Sequence, residues 1–149
     1  MQRWTSDPPL ELPIDLVNVS RVDLEFEELR RDLGSFSAFV FVTKGDDPKV
    51  PDDAGRSHPG FAGAFSLFAQ HGCWGEEGHC DWERAPVSAF DRTAEHHLAP
   101  SDLTLDVTEA AKKLSSLESV VVTVLAYPAD DPEGGGVLGF SRLTALVYQ

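Results

Sequence analysis

Arg21–Glu28 reads RVDLEFEE, with Val22, Leu24 and Phe26 alternating against Asp23, Glu25 and Glu27. A period of two puts the apolar set on one face of a β-strand and the carboxylates on the other. This predicts a strand with one buried and one wet face, the kind supplied by antiparallel sheets.

Downstream, Ser37–Thr43 (SAFVFVT) is apolar on both faces and rich in Phe and Val, which predicts a central strand whose second face is also covered. Lys44–Gly60 (KGDDPKVPDDAGRSHPG) is turn chemistry throughout. Its acidic pairs Asp46–Asp47 and Asp52–Asp53 lack the ligand rhythm and trailing Glu of a calcium loop, so a solvated loop is expected. Phe61–Ala69 (FAGAFSLFA) predicts a buried strand in which Gly63 marks a bulge or a close backbone approach. Phe61, Phe65, Phe68 and Phe90 read as core side chains. Leu103, Leu105 and Val107 alternate with polar residues and lead into a short helix at Thr108–Ser115, where Asp106 and Glu109 stand at capping-box spacing. Val120–Ala126 is β-branched enough for a mid-sheet strand, Asp130–Gly136 (DDPEGGG) is a turn, and Val137–Tyr148 is the return strand.

The long helices that a parallel sheet requires are absent from this pattern. The expectation is an all-β fold, an antiparallel, jelly-roll-like β-sandwich of about seven strands with one short helix near residues 107–115. Residues 1–19, with Pro8, Pro9 and Pro13, are expected to form an extended arm with an edge strand at Ile14–Val17, and residues 20–149 the sandwich. A single domain of 149 residues is large enough to bury a core without metals or bridges.

The formal charge of −13 is spread over both halves of the chain. It opposes binding to phosphate backbones and anionic lipid, so nucleic acid and membrane are poor partners. No apolar run approaches the ~20 residues needed to span a bilayer, and the N-terminus lacks the apolar region of a secretory signal. A cytoplasmic product is the default expectation, with export alongside a partner left open. A sandwich with an apolar sheet edge also leaves self-association open.

Chemistry is concentrated in His71–Glu83, HGCWGEEGHCDWE, which holds both cysteines, two of five histidines and two of three tryptophans. Thiolate and imidazole are donors that copper and zinc prefer, and His71, Cys73, His79 and Cys80 together satisfy a tetrahedral ion in number. The spacing H-x-C-x5-H-C matches no established zinc motif, however, and adjacent donors on an extended segment point apart. A Cys73–Cys80 disulfide and two ordinary thiols remain alternatives. His96 and His97 form a second candidate contact, weighed against a solvated loop anchored by Leu98 and Pro100. Trp74, in a Gly-rich turn, is a candidate contact for a partner or planar ligand, whereas Trp82 reads as a plug on the core. No nucleophile elbow or other catalytic constellation occurs, so no enzymatic activity is expected.

In order along the chain stand FAGAF at Phe61–Phe65, FDR at Phe90–Arg92, the D-x-T-x-x-x-x-x-L element at Asp106–Leu114 and a valine-rich strand. This set resembles the β-rich C-terminal domain that follows the helical dicopper domain in type-3 copper proteins: tyrosinases, polyphenol oxidases and molluscan haemocyanins. The resemblance covers roughly residues 20–148. In that family the dicopper centre lies in the helical domain, whose histidine spacing His58, His71, His79, His96 and His97 do not reproduce. The β-rich domain covers the mouth of the active site, often with a bulky side chain over the coppers, a role the resemblance offers to Phe90 or Phe68. It therefore implies a non-enzymatic accessory or regulatory domain that shields or binds a tyrosinase-like copper protein. The alternative is an independent copper- or zinc-binding protein using loop 71–80.

Overall fold

A computed structural model describes residues 1–12, 19–45, 49–68, 99–114, 119–129 and 136–149. In chain order the elements are β1 (Gln2–Thr5), β2 (Leu10–Glu11), β3 (Arg21–Leu29), β4 (Phe36–Lys44), β5 (Phe61–Leu67), β6 (Ser101–Asp106), α1 (Thr108–Lys113), β7 (Ser119–Pro128) and β8 (Arg142–Tyr148). They form two antiparallel sheets, β1-β7-β4-β5 with β2 also on β7, and β6-β3-β8. This is the expected all-β sandwich. No helix of the described residues is long and apolar enough to cross a membrane.

The alternation in β3 sets the inner layer. Val22, Leu24 and Phe26 are at most 1% exposed and lie opposite Val147, Ala145 and Leu143 of β8. They meet Phe36, Ala38, Val40 and Val42 of β4 and Val120, Val122, Val124 and Ala126 of β7 in one core. The other face of β3 is not uniformly wet, because Asp23 is only 2% exposed and its carboxylate accepts a 2.7 Å bond from Arg21 Nε. At the far end of β3 an extra residue against β6 makes a bulge between Phe26 and Leu29, with Glu28 at φ 52°. Its N–H donates to Asp102 Oδ1 at 3.0 Å. A left-handed conformation favours glycine. Glu28→Gly is expected to raise the unfolding free energy by about 0.5–1 kcal/mol in a urea titration, the αL penalty outweighing the added unfolded-state entropy.

β4 is covered on its second face, as SAFVFVT predicts. Phe41 and Leu125, both fully buried, pack there with Val50 and Ala54, flanked by Phe39, Phe61 and Tyr127. The cover is the 49–60 segment, whose composition predicts a solvated loop. It is held by Arg3, whose Nη1 donates to Val50 O at 2.7 Å and Asp52 Oδ1 at 2.8 Å. The His58 ring meets Phe41 edge-on at 5.4 Å while its Nδ1 accepts the Gly60 N–H. On the same face Thr123 is fully buried, and its hydroxyl has no hydrogen-bond partner among the described residues. An unpaired buried hydroxyl keeps its desolvation cost, and valine has the same shape without it. Thr123→Val is therefore expected to stabilise the domain by about 1 kcal/mol, read as a higher denaturation midpoint.

Gly63 shows both features expected of it. One extra residue of β5 lies between the pairs Val40–Gly63 and Phe41–Phe61, and a Cβ on Gly63 would stand 3.1 Å from Leu105 Cδ1 in the facing sheet.

Several expectations need correction. The first residues are not only an extended arm, because β1 and β2 both pair with β7 and Trp4 packs on the core, its ring 4.8 Å from that of Phe140. The predicted strand at Ile14–Val17 and most of the Asp130–Gly136 turn lie outside the described residues. The return strand begins at Arg142 and not Val137: Leu138 is bonded to the Gln2 amide, and a Cβ at Gly139 would stand 2.9 Å from Leu33 Cδ1. At α1 the capping box does not form. Asp106 Oδ1 accepts the N–H and hydroxyl of Thr108 at 2.9 and 2.6 Å, one residue short of Glu109, and these bonds hold its carboxyl below the ordinary range. Phe68 is not core. It is 87% exposed.

Candidate functional site

The turn from Leu29 to Phe36 joins the two sheets at one end of the sandwich, which we term the rim. Register pairs place the ends of the other strands there: Phe36 lies opposite Leu67 and Pro128, Leu29 opposite Ser101, and Glu27 opposite Arg142. The chain leaves the rim at Phe68 and is next described at Ala99. The intervening residues include every donor and contact residue chosen from the sequence: His71, Cys73, Trp74, His79, Cys80, Phe90, His96 and His97. All eight lie outside the described residues, as does Trp82. Among the described residues no group of three or more His, Cys, Asp or Glu side chains is placed to hold a metal ion.

The rim itself is polar and cross-tied. Arg31 Nε donates to Ser101 Oγ at 3.1 Å, and the Arg30 N–H donates to Gly139 O at 2.8 Å. Gln2 clasps Leu138 from both sides, its Nε2 donating to the carbonyl at 3.2 Å and its Oε1 accepting the N–H at 2.8 Å. A side-chain amide thus copies the pairing of a neighbouring strand, satisfying both backbone groups of a residue that has left the sheet. Arg30 Nε bonds Asp32 Oδ1 at 2.9 Å, and that guanidinium holds the Asp32 carboxyl below its ordinary range. Arg142 Nε bonds Glu27 Oε1 at 2.7 Å, and the bond raises the guanidinium further above its already high value.

Glu27, Asp32 and Asp102 each accept from a guanidinium or an N–H, which stiffens the rim and leaves these carboxylates engaged. The rim also carries an exposed apolar side chain. Among the described residues this is Phe68, the most exposed of the three exposed large apolar side chains, the others being Met1 at 54% and Tyr148 at 46%. Sequence reasoning missed the rim because its bonds join residues as far apart as Gln2 and Leu138. The one local signal was the Arg30–Arg31 pair in an acidic chain.

Among solved structures, the chain is similar to a recombinantly expressed latent aurone synthase, a polyphenol oxidase, co-crystallised with hexatungstotellurate(VI), with 13% identity and a TM-score of 0.56. It is equally similar to the latent enzyme from natural source, again with 13% identity and a TM-score of 0.56. Each match covers 99% of this chain and 24% of the enzyme. The fold is that of a polyphenol oxidase's β-rich domain. The resemblance seen in FAGAF, FDR and the Asp106–Leu114 element thus holds at the level of architecture. No family model matches the chain, and no curated protein is similar to it in sequence. Because the chain spans only 24% of the enzymes it matches, their chemistry is not transferred with the fold.

Proposed function

We propose that this domain is a non-enzymatic accessory of a type-3 copper oxidase, binding the helical dicopper domain and shielding its mouth. The observation that supports this reading is Phe68. A phenyl ring 87% exposed at the end of a core strand gains nothing for the fold, whereas an exposed aromatic on a stiff base suits insertion into a partner's pocket. Such a ring offers no lone pair to copper and no group for the oxidase to consume, so it blocks by occupying space. Trp74, Phe90, His96 and His97 follow in the adjoining sequence and are proposed to widen the same contact.

The test is calorimetric titration of the chain into a tyrosinase-like helical domain stripped of its own β-domain. The expected result is saturable one-to-one binding. Phe68→Ala is expected to weaken it by about 2 kcal/mol, some 30-fold in Kd, without lowering the domain's thermal midpoint. No heat of binding, or identical affinity for the variant, would remove the proposal.

The competing proposal rests on the donor types in loop 71–80. It takes His71, Cys73, His79 and Cys80 as a copper or zinc site. Elemental analysis of chelator-free protein separates the two, because only this reading requires bound metal that is lost in Cys73→Ser with Cys80→Ser.

A further inference from the structure

We propose that two copies of this chain pair edge to edge through β8, making a continuous six-stranded sheet β6-β3-β8-β8-β3-β6 across a two-fold axis. Sheet edges invite pairing, and proteins guard them with charges, prolines or bulges. Three of the four edges here are guarded. The β1/β2 edge is broken by Pro8 and Pro9, and β5 is bulged beside Gly63. β6 carries Asp102 and Asp106 on the same face, so self-pairing centred on Thr104 would set like charges opposite each other twice.

β8 has neither proline nor bulge, and its one charge, Arg142, stands at its end. Arg142–Tyr148 reads RLTALVY, with no Pro, Gly, Lys or acidic residue. It runs in seven consecutive, unbroken register pairs along β3, and among the described residues no strand pairs with its other edge. Its ends are pinned by the Ser141 N–H bond to Glu27 O and the Ser20 N–H bond to Tyr148 O.

The sequence of β8 is complementary to its own reverse. Directly opposed residues in an antiparallel pair share a face. The register must therefore keep Leu143, Ala145 and Val147 on the core side in both copies, and the one that uses all seven residues is centred on Ala145. It sets Leu143 against Val147 over the joined cores and Thr144 against Leu146 on the outer face. Arg142 meets Tyr148, a cation beside an aromatic ring that is now 46% exposed. No like charges meet. The two inner faces become one surface, and the backbone groups along the two β8 edges, which no strand pairs among the described residues, are satisfied together.

Light scattering on eluting protein, from about 1 to about 100 μM, covers the affinities of weak dimers. The wild type is expected to reach twice the chain mass of 16.3 kDa. Thr144→Lys with Leu146→Lys places ammonium groups beside Glu25 and Asp23 within each copy but against each other across the axis. The dissociation constant is expected to rise about tenfold or more, with the fold kept. A wild type that stays at 16.3 kDa throughout, or a variant that dimerises as well as the wild type, overturns the proposal. Thr144→Cys with Leu146→Cys, made in a Cys73→Ser, Cys80→Ser background, reads the register directly. Oxidation is expected to give a covalent dimer that reductant reverses, and failure to cross-link also overturns it.

Discussion

Phe26→Ala is expected to lower the unfolding free energy by about 3–5 kcal/mol, the range of a phenylalanine removed from a closed core. Phe26 is fully buried at the centre of β3, and its ring meets Phe65 of β5 at 5.4 Å and Phe140 at 5.3 Å. Those two rings come from the facing sheet and from the segment that closes the rim, so the side chain joins three parts of the fold. Trp4 packs on the other side of Phe140, 4.8 Å away, which ties β1 into the same aromatic chain. The loss can close only if several aromatic side chains leave their rotamers together, so most of the cavity term is expected to remain. Urea titration followed by tryptophan fluorescence measures it. A cost below about 1.5 kcal/mol, typical of a tolerated swap, would mean that the two sheets are not locked through this ring.

Arg21→Ala is expected to destabilise the domain by more than the loss of an ordinary surface ion pair does. The guanidinium is half exposed, with a side-chain accessibility of 53%, but the Asp23 side chain it holds is at 3%. Asp23 also lies directly opposite Asp106 in the register of β3 and β6. Removing Arg21 takes the bonded cation from the buried Asp23 carboxylate and leaves it beside Asp106, with Lys112 acting on Asp106, and breaking a buried pair from one side is expensive. The Asp23 and Asp106 charges both raise the Arg21 guanidinium, its bond to Asp23 being the largest cause. A double-mutant cycle with Asp23→Ala isolates the effect. The double variant is expected to be less damaged than the two single losses summed, because it buries no orphan charge. Strict additivity would show that the pair does not interact.

The sandwich was legible where one face of a strand decides its fate. RVDLEF announces a strand because its inner face must be apolar, and Gly63 announces a constraint because a Cβ there would press on Leu105. SAFVFVT announced a second covered face but not its cover, because Val50 and Ala54 stand among prolines, aspartates and glycines that by composition belong in water. β1 and β2 were illegible for a related reason. They are too short to show a period, and β7 supplies their pairing from more than a hundred residues away. Asp23 and Phe68 exchanged their expected places. The alternation assigns Asp23 to water without knowing that Arg21 bonds it, and FAGAFSLF has no mark for where the sheet stops and its last phenyl turns outward. The site was legible only as chemistry. Residue types named the donors of loop 71–80, while the rim is assembled by Gln2, Arg31 and Glu27 reaching Leu138, Ser101 and Arg142, pairings that exist only once the sheets have met.

The proposed shielding role is tested most directly by turnover. Diphenol oxidation by a helical dicopper domain lacking its own β-domain is measured while this chain is titrated in. Activity is expected to fall to a low plateau at one equivalent, with Phe68→Ala shifting the curve to higher concentration at unchanged stability. Activity that stays level at saturating chain, or falls identically with the variant, would contradict it.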